Sequence, residues 1–221
     1  MSYEWRFDAV WPHLPTLLGG LGYTVSLAVA GFILSASFAF LVVLARISPR
    51  RLLRWPALAY LNFFRGTPFI VQLLWLYYTL PIMTGIALSS VTTALIGITL
   101  NLGAFIAETY RAGITSIEKG QREAAEALGM TQWECLTRII LPQAIRRVIP
   151  PLANYWVTIF KDTSLFSLIA VAELTYEARR VALDTYRPLE TYTILALVYF
   201  AVTYPQARLV DWLFDRYRVR N

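Results

Sequence analysis

The chain has 221 residues, of which 57% are hydrophobic and only 15% charged. Soluble domains carry about 25% charged residues, so a water-soluble globule is a poor fit. One cysteine, Cys135, excludes an internal disulfide, and the length suits a single domain, 1–221. The net charge of +6 would suggest nucleic acid in a soluble protein, but its distribution along this chain reads otherwise.

From Ala9 to Ala45 there is no Asp, Glu, Lys or Arg. The apolar part, near 17–45, exceeds the ~20 residues that a helix needs to cross a bilayer. Glu4 and Asp8 precede it and no basic segment does, so it reads as a retained span rather than a cleaved leader. Trp55 to Phe64 is aromatic-rich and bracketed by Arg54 and Arg65, which predicts a short segment at the membrane interface. Gly66 to Ala107 is again free of charge. As one helix it would be roughly 60 Å long, twice the hydrocarbon thickness, so it must fold back. Pro81, Gly85 and Ser89-Ser90 mark the turn, giving spans near 66–84 and 91–111. A fourth span is expected near 148–172, interrupted by Lys161-Asp162, and a fifth near 190–214, kinked at Pro205.

The sequence thus predicts an all-α polytopic membrane protein with five transmembrane helices. Arg46, Arg50, Arg51 and Arg54 follow span one; Arg111, Lys119, Arg122, Arg138, Arg146 and Arg147 follow span three; Arg216, Arg218 and Arg220 end the chain. Basic residues favour the cytoplasmic side, so the N-terminus is expected outside and the C-terminus in the cytoplasm. On the opposite side Arg6, Arg179, Arg180 and Arg187 are offset by Glu173, Glu177, Asp184 and Glu190. The positive charge is topological.

The connection between spans three and four, about 112–147, is the most informative stretch. Ile117 to Leu128 has helix-forming composition, and Gly129 breaks it. Thr131 and Glu134 are spaced to cap a second helix from Gln132 to about Ile140, beyond which Pro142 limits continuation. Two short helices should meet at a bend, with the small side chains of Ala124 and Ala125 permitting close approach of another surface.

Glu123-Ala124-Ala125, Gly129, Ile139 and Leu141-Pro142 in this register resemble the EAA loop of ABC-importer permeases. "FRGTPFIVQLLW" from Phe64, "AETYRAGI" from Ala107, "LGMTQWE" from Leu128 and "KDTSL" from Lys161 are similar to the polar amino-acid branch, which includes glutamine, glutamate, histidine and arginine permeases. The resemblance implies a type I importer permease of MetI-like fold in the bacterial inner membrane. It implies a coupling helix bearing Glu123 that docks on a cytoplasmic ATPase dimer, a second permease subunit, identical or paralogous, and an extracytoplasmic binding protein. ATP and Mg would belong to the ATPase, since this chain has no G-x-x-x-x-G-K-[ST] loop and no hydrolase motif. It is expected to be a transport component, not itself catalytic, with glutamine or glutamate favoured and basic amino acids possible as substrates. The competing class, an ion-coupled secondary transporter or channel, commonly shows inverted repeats or paired broken helices, and neither is visible in the sequence.

Ionisable residues inside spans are candidates for function by default. Lys161 and Asp162 point about 100° apart on a helix, so they are expected to face a protein interface or an aqueous cavity. They fit a zwitterionic solute equally as well as a brace between helices, and both readings stand, with Thr163 and Ser164 as hydrogen-bonding neighbours or as groups serving the local backbone. Glu108 and Arg111 are spaced for an i,i+3 ion pair, with a pathway role for Glu108 as the alternative. Gln72 and Asn101 suit an interhelical hydrogen bond, with substrate contact as the alternative; Arg65 suits an interfacial anchor or the pathway; His13 precedes the first span as a bystander. Gly19, Gly20, Gly22, Gly31, Ser35 and Ser37 permit close helix approach, within the chain or across a pair.

Overall fold

A computed structural model describes residues 3–217. Arg218 and Arg220, counted in the expected basic tail, lie outside the described residues. Ten α-helices lie among the described residues: α1 Leu14–Ile47, α2 Arg51–Gly66, α3 Phe69–Leu74, α4 Leu80–Thr84, α5 Ser90–Thr115, α6 Lys119–Ala127, α7 Gln132–Glu134, α8 Leu141–Asp162, α9 Leu174–Thr185 and α10 Pro188–Tyr217. Among the described residues there is no strand. Three helical stretches are long and apolar enough to cross a membrane: Phe7–Ile47, Ser90–Thr115 and Pro188–Arg216. Phe69–Thr84 is a shorter apolar helix.

The core forms where α1 lies along α5, backed by α8. Gly31 makes the approach possible: a methyl group there would come within 3.0 Å of Ile98 and 3.1 Å of Ile159. Ser35, also buried, donates to the Ile98 carbonyl at 3.3 Å. Gly20 packs against Leu174 within the chain, whereas Gly19, Gly22 and Ser37 face outward. The small residues of α1 are thus divided between internal packing and an open face.

The segment Trp55–Phe64 lies within α2, which packs against α1 and α5. Its Ala57 and Leu61 are buried, Tyr60 packs edge-on against Phe38, and the Tyr60 hydroxyl donates to the Leu100 carbonyl at 2.5 Å. The aromatic residues divide: Tyr60 and Phe64 pack inward, while Trp55 and Phe63 stay exposed. The span expected from residue 66 therefore continues a path that starts at Arg51 and breaks at Thr67-Pro68.

Pro142 does not limit the second elbow helix. Helix runs on from Gln132 to Asp162 through a π-helical turn, Cys135–Ile140. There the Leu141 N–H bonds to the Leu136 carbonyl, five residues back. The wider turn absorbs the proline, which has no N–H to give and would crowd the carbonyl four residues earlier in a regular helix. Lys161 and Asp162, expected to interrupt a fourth span, lie at a helix end: α8 stops at Asp162, a 3₁₀ stretch follows over Thr163–Ile169, and Ala170 turns left-handed at φ 59°. The connection before the last helix, read from its charges alone, contains α9, N-capped by Glu173.

Between spans two and three the turn chemistry acts as expected. Gly85 ends α4 at φ 74°, and Ser89 caps α5 by accepting from the Thr92 N–H at 3.1 Å.

Candidate functional site: the elbow and the helix breaks

The elbow is built from short-range chemistry. Gly129, at φ 71°, closes α6 with paired bonds: its own N–H to the Glu126 carbonyl at 2.9 Å, and the Met130 N–H to the Ala125 carbonyl at 3.0 Å. This is the Schellman closure, and it requires a residue that tolerates a left-handed backbone. Thr131 and Glu134 then form the full capping box: the Glu134 N–H donates to Thr131 Oγ1 at 3.2 Å and the Thr131 N–H to Glu134 Oε2 at 3.1 Å. Those bonds hold the Glu134 carboxyl below the usual range, led by the Thr131 backbone N–H. Ile117, Ala125, Cys135 and Ile140 make a small separate core beneath, and Arg147 donates to the Ser116 carbonyl at 2.5 Å to tie the elbow to α8.

The two alanines therefore differ. Ala124 is exposed, but Ala125 is 0% exposed and belongs to the elbow's own core. Only the first can meet another surface, which corrects the expectation for the pair. Glu123, Gly129 and Pro142 are exposed, while Ile139 and Leu141 are half-buried. Two residues beyond the motif stand out: Leu128 is 79% and Trp133 71% exposed. Within so polar a segment, a tryptophan beside the helix-breaking Gly129 was the available signal.

A second site lies where α2 gives way to α3. Pro68 has no N–H, so the Phe64 carbonyl loses its helical partner. Side chains replace it: Gln72 Nε2 donates to that carbonyl at 3.0 Å and Asn101 Nδ2 at 3.2 Å. Gln72 also donates to the Thr67 carbonyl at 3.0 Å and to Thr67 Oγ1 at 2.6 Å, while Asn101 donates to Gln72 Oε1 at 3.1 Å. The interhelical bond is present, and it serves the break. Just past the break Phe69 packs edge-on against Phe166 of the 3₁₀ stretch, so the two irregular segments touch.

Lys161 is exposed and Asp162 half-buried, and neither forms an ion pair among the described residues. Thr163 is fully buried and donates to the Phe160 carbonyl at 2.8 Å, serving local backbone, and Ser164 is half-buried. Toward the C-terminal end of α5, Arg111 donates from Nε at 2.9 Å and Nη2 at 2.6 Å to Glu108 Oε1. Arg65 Nη1 lies 4.0 Å from Glu108 Oε2, with its guanidinium over the Phe105 ring at 5.9 Å. His13 sits half-buried at the start of α1. No cluster of His, Cys, Asp or Glu among the described residues could hold a metal.

The family model for the binding-protein-dependent transport system inner membrane component matches residues 31–219, most of the chain. The chain belongs to this family. As a member of the inner membrane component family it is a transport subunit and not an enzyme on its own. It is 37% identical over 204 residues to the glutamine transport system permease protein of Escherichia coli K12, covering 92% of each chain. It is 39% identical over 207 residues to the L-cystine transport system permease protein of Bacillus subtilis 168, covering 92% of this chain and 88% of that one. Among solved structures, an amino acid ABC transporter crystallised with histidines superposes with a TM-score of 0.92 at 30% identity, covering 97% of this chain and 100% of that one. The all-helical MetI-like permease fold is shared.

Proposed function

We propose that this chain is the permease subunit of an ATP-driven importer of polar amino acids, and that the elbow receives the mechanical work. The observation that carries the coupling role is the prebuilt bend that leaves Leu128, Trp133, Ala124 and Glu123 uncovered. An exposed tryptophan and leucine on a rigid, fully capped support suit the centre of a protein interface. The partner is a cytoplasmic ATPase dimer that binds ATP and Mg; a second permease subunit completes the pathway and an extracytoplasmic binding protein delivers the solute. Closure of the ATPases moves the elbows, and the continuous helix from Gln132 to Asp162 transmits that motion to the level of Lys161 and Asp162.

The path crosses the membrane five times, with the first span entering from outside and the C-terminus in the cytoplasm of a bacterial cell. Its second crossing joins α2, α3 and α4. Lys161 and Asp162, without an ion-pair partner among the described residues, are placed to meet a zwitterionic solute, with Ser164 beside them. Glu108 and Arg65 line the inner mouth. Gln72 and Thr163 spend their donors on backbone carbonyls and shape the pathway without touching solute. Glutamine or glutamate is the favoured cargo, supported by the similarity to a glutamine permease; similarity to a cystine permease keeps the class broader than one solute. An ion-coupled carrier finds no support beside the family match.

The test is to purify the chain with whatever co-purifies, identify the ATPase, and measure which amino acids stimulate hydrolysis once the binding protein is added. An ATPase held through the elbow and stimulated by glutamine or glutamate supports the reading. Absence of any ATPase from an intact preparation overturns it.

A further inference from the structure

Three helices bring arginines to one carboxylate near the inner ends of α1 and α5. Glu108 is held by Arg111 of α5 at 2.6 Å and approached by Arg65 of α2 at 4.0 Å. Arg46, in the last turn of α1, stands at about the same level, because Phe38 packs on Gly103 where the two helices run side by side, eight residues before Arg46 and five before Glu108. Two positive charges therefore stay uncompensated in a half-withdrawn setting, where the side chains are 25% exposed for Glu108, 32% for Arg111 and 41% for Arg65. Arg46 adds an independent mark: its Nε is buried and has no hydrogen-bond partner. Arg65 likewise donates no hydrogen bond among the described residues, and its plane is held over Phe105.

A buried guanidinium N–H left unpaired carries a cost that a ligand oxygen would remove. Guanidinium forks suit carboxylate and phosphate oxygens because two parallel N–H groups match two oxygens. We propose that Arg46, Arg65 and Arg111 form an oxyanion site at the inner end of the helix bundle, taking one carboxylate or phosphate group beside Glu108. The group has two possible sources, the headgroup of an anionic inner-leaflet lipid or a small anion in solution. Glu108 competes for the same donors, so it sets the affinity without being part of the ligand shell. Binding is read on the chain itself, so the result is separate from whether the chain carries an amino acid.

The experiment uses the purified full-length chain in neutral detergent. Dioleoylphosphatidylglycerol is titrated in and bound lipid counted by native mass spectrometry. Sodium phosphate and sodium glutamate are titrated in parallel at constant ionic strength, read by melting temperature. Wild type should bind one of these, and Arg46→Gln/Arg65→Gln should weaken that binding at least about tenfold, about 1.4 kcal/mol. Loss confined to the lipid titration assigns a headgroup, and loss in the phosphate or glutamate titration assigns a free anion. Glu108→Gln, which keeps all three arginines, should bind several-fold more tightly, and this arm stands if the double variant fails to fold. No binding by wild type, equal binding by a folded double variant, or unchanged or weaker binding by Glu108→Gln each overturns the proposal.

Discussion

The elbow and the break at Thr67-Pro68 both interrupt helices, and they satisfy the freed backbone groups in opposite ways. At the elbow every replacement partner lies within a few residues: Gly129 and Met130 close one helix, Thr131 and Glu134 open the next. The elbow is thereby complete by itself and leaves its apolar side chains, Leu128 and Trp133, outward. At the break the Phe64 carbonyl relies on Asn101, 37 positions away in sequence, together with Gln72. Water can complete a surface bend, but a break packed between helices must be served by protein. The difference teaches where substitution should act: partner binding at the elbow, stability at the break.

The largest effect should come from Glu123→Lys or Gly129→Asp. Both should reduce ATP-driven uptake in vesicles to background while leaving insertion unchanged, and the second adds left-handed strain at φ 71°. Full uptake by both would remove the elbow from the coupling path. Next, Asn101→Leu should destabilise the isolated chain by up to about 3 kcal/mol, seen as a lower thermal midpoint in detergent. Because Gln72 and Asn101 share the Phe64 carbonyl, the double variant with Gln72→Leu should lose less than the sum of the singles. Additive losses would break the contrast between the regions. Trp133→Ala should weaken ATPase association by about 2 kcal/mol, roughly thirtyfold, without moving the thermal midpoint.

A finer test separates the two alanines. Ala125→Leu should overpack the elbow's core at a cost of about 1–2 kcal/mol, whereas Ala124→Leu should leave the chain's stability unchanged and affect only ATPase association. The smallest effect is the pH dependence of the capping box. The folded Glu134 carboxyl lies below its unfolded value, so its contribution is complete above the unfolded value and is lost as pH falls through the folded one. Amide protection within α7, taken relative to the intrinsic exchange rate at each pH, should therefore fall on acidification from about pH 6 to about pH 3, and Glu134→Gln should flatten that fall.

Legibility in the sequence follows the same divide. Gly129, the Thr131–Glu134 spacing, Gly85 and Ser89 could be read because each acts on its own neighbours, over three or four residues. The charge-free runs could be read because bilayer thickness fixes helix length. What composition around Trp55–Phe64 could not reveal is that Tyr60 finds the Leu100 carbonyl across the bundle. The spacing of Pro142 likewise gave no hint of a π-turn that carries the helix through it.

Local turn and cap chemistry, and the order of apolar and basic segments, were determined by the sequence itself, since their energies depend on near neighbours and on the solvent. Only the tertiary structure decided that Ala125 faces inward while Ala124 faces out, that Asn101 serves the Phe64 carbonyl, and that Arg65 of α2 approaches Glu108 of α5. Each of these turns on which helix packs beside which. That choice is made by shape complementarity between surfaces distant in the chain, for which a linear pattern carries no direct record.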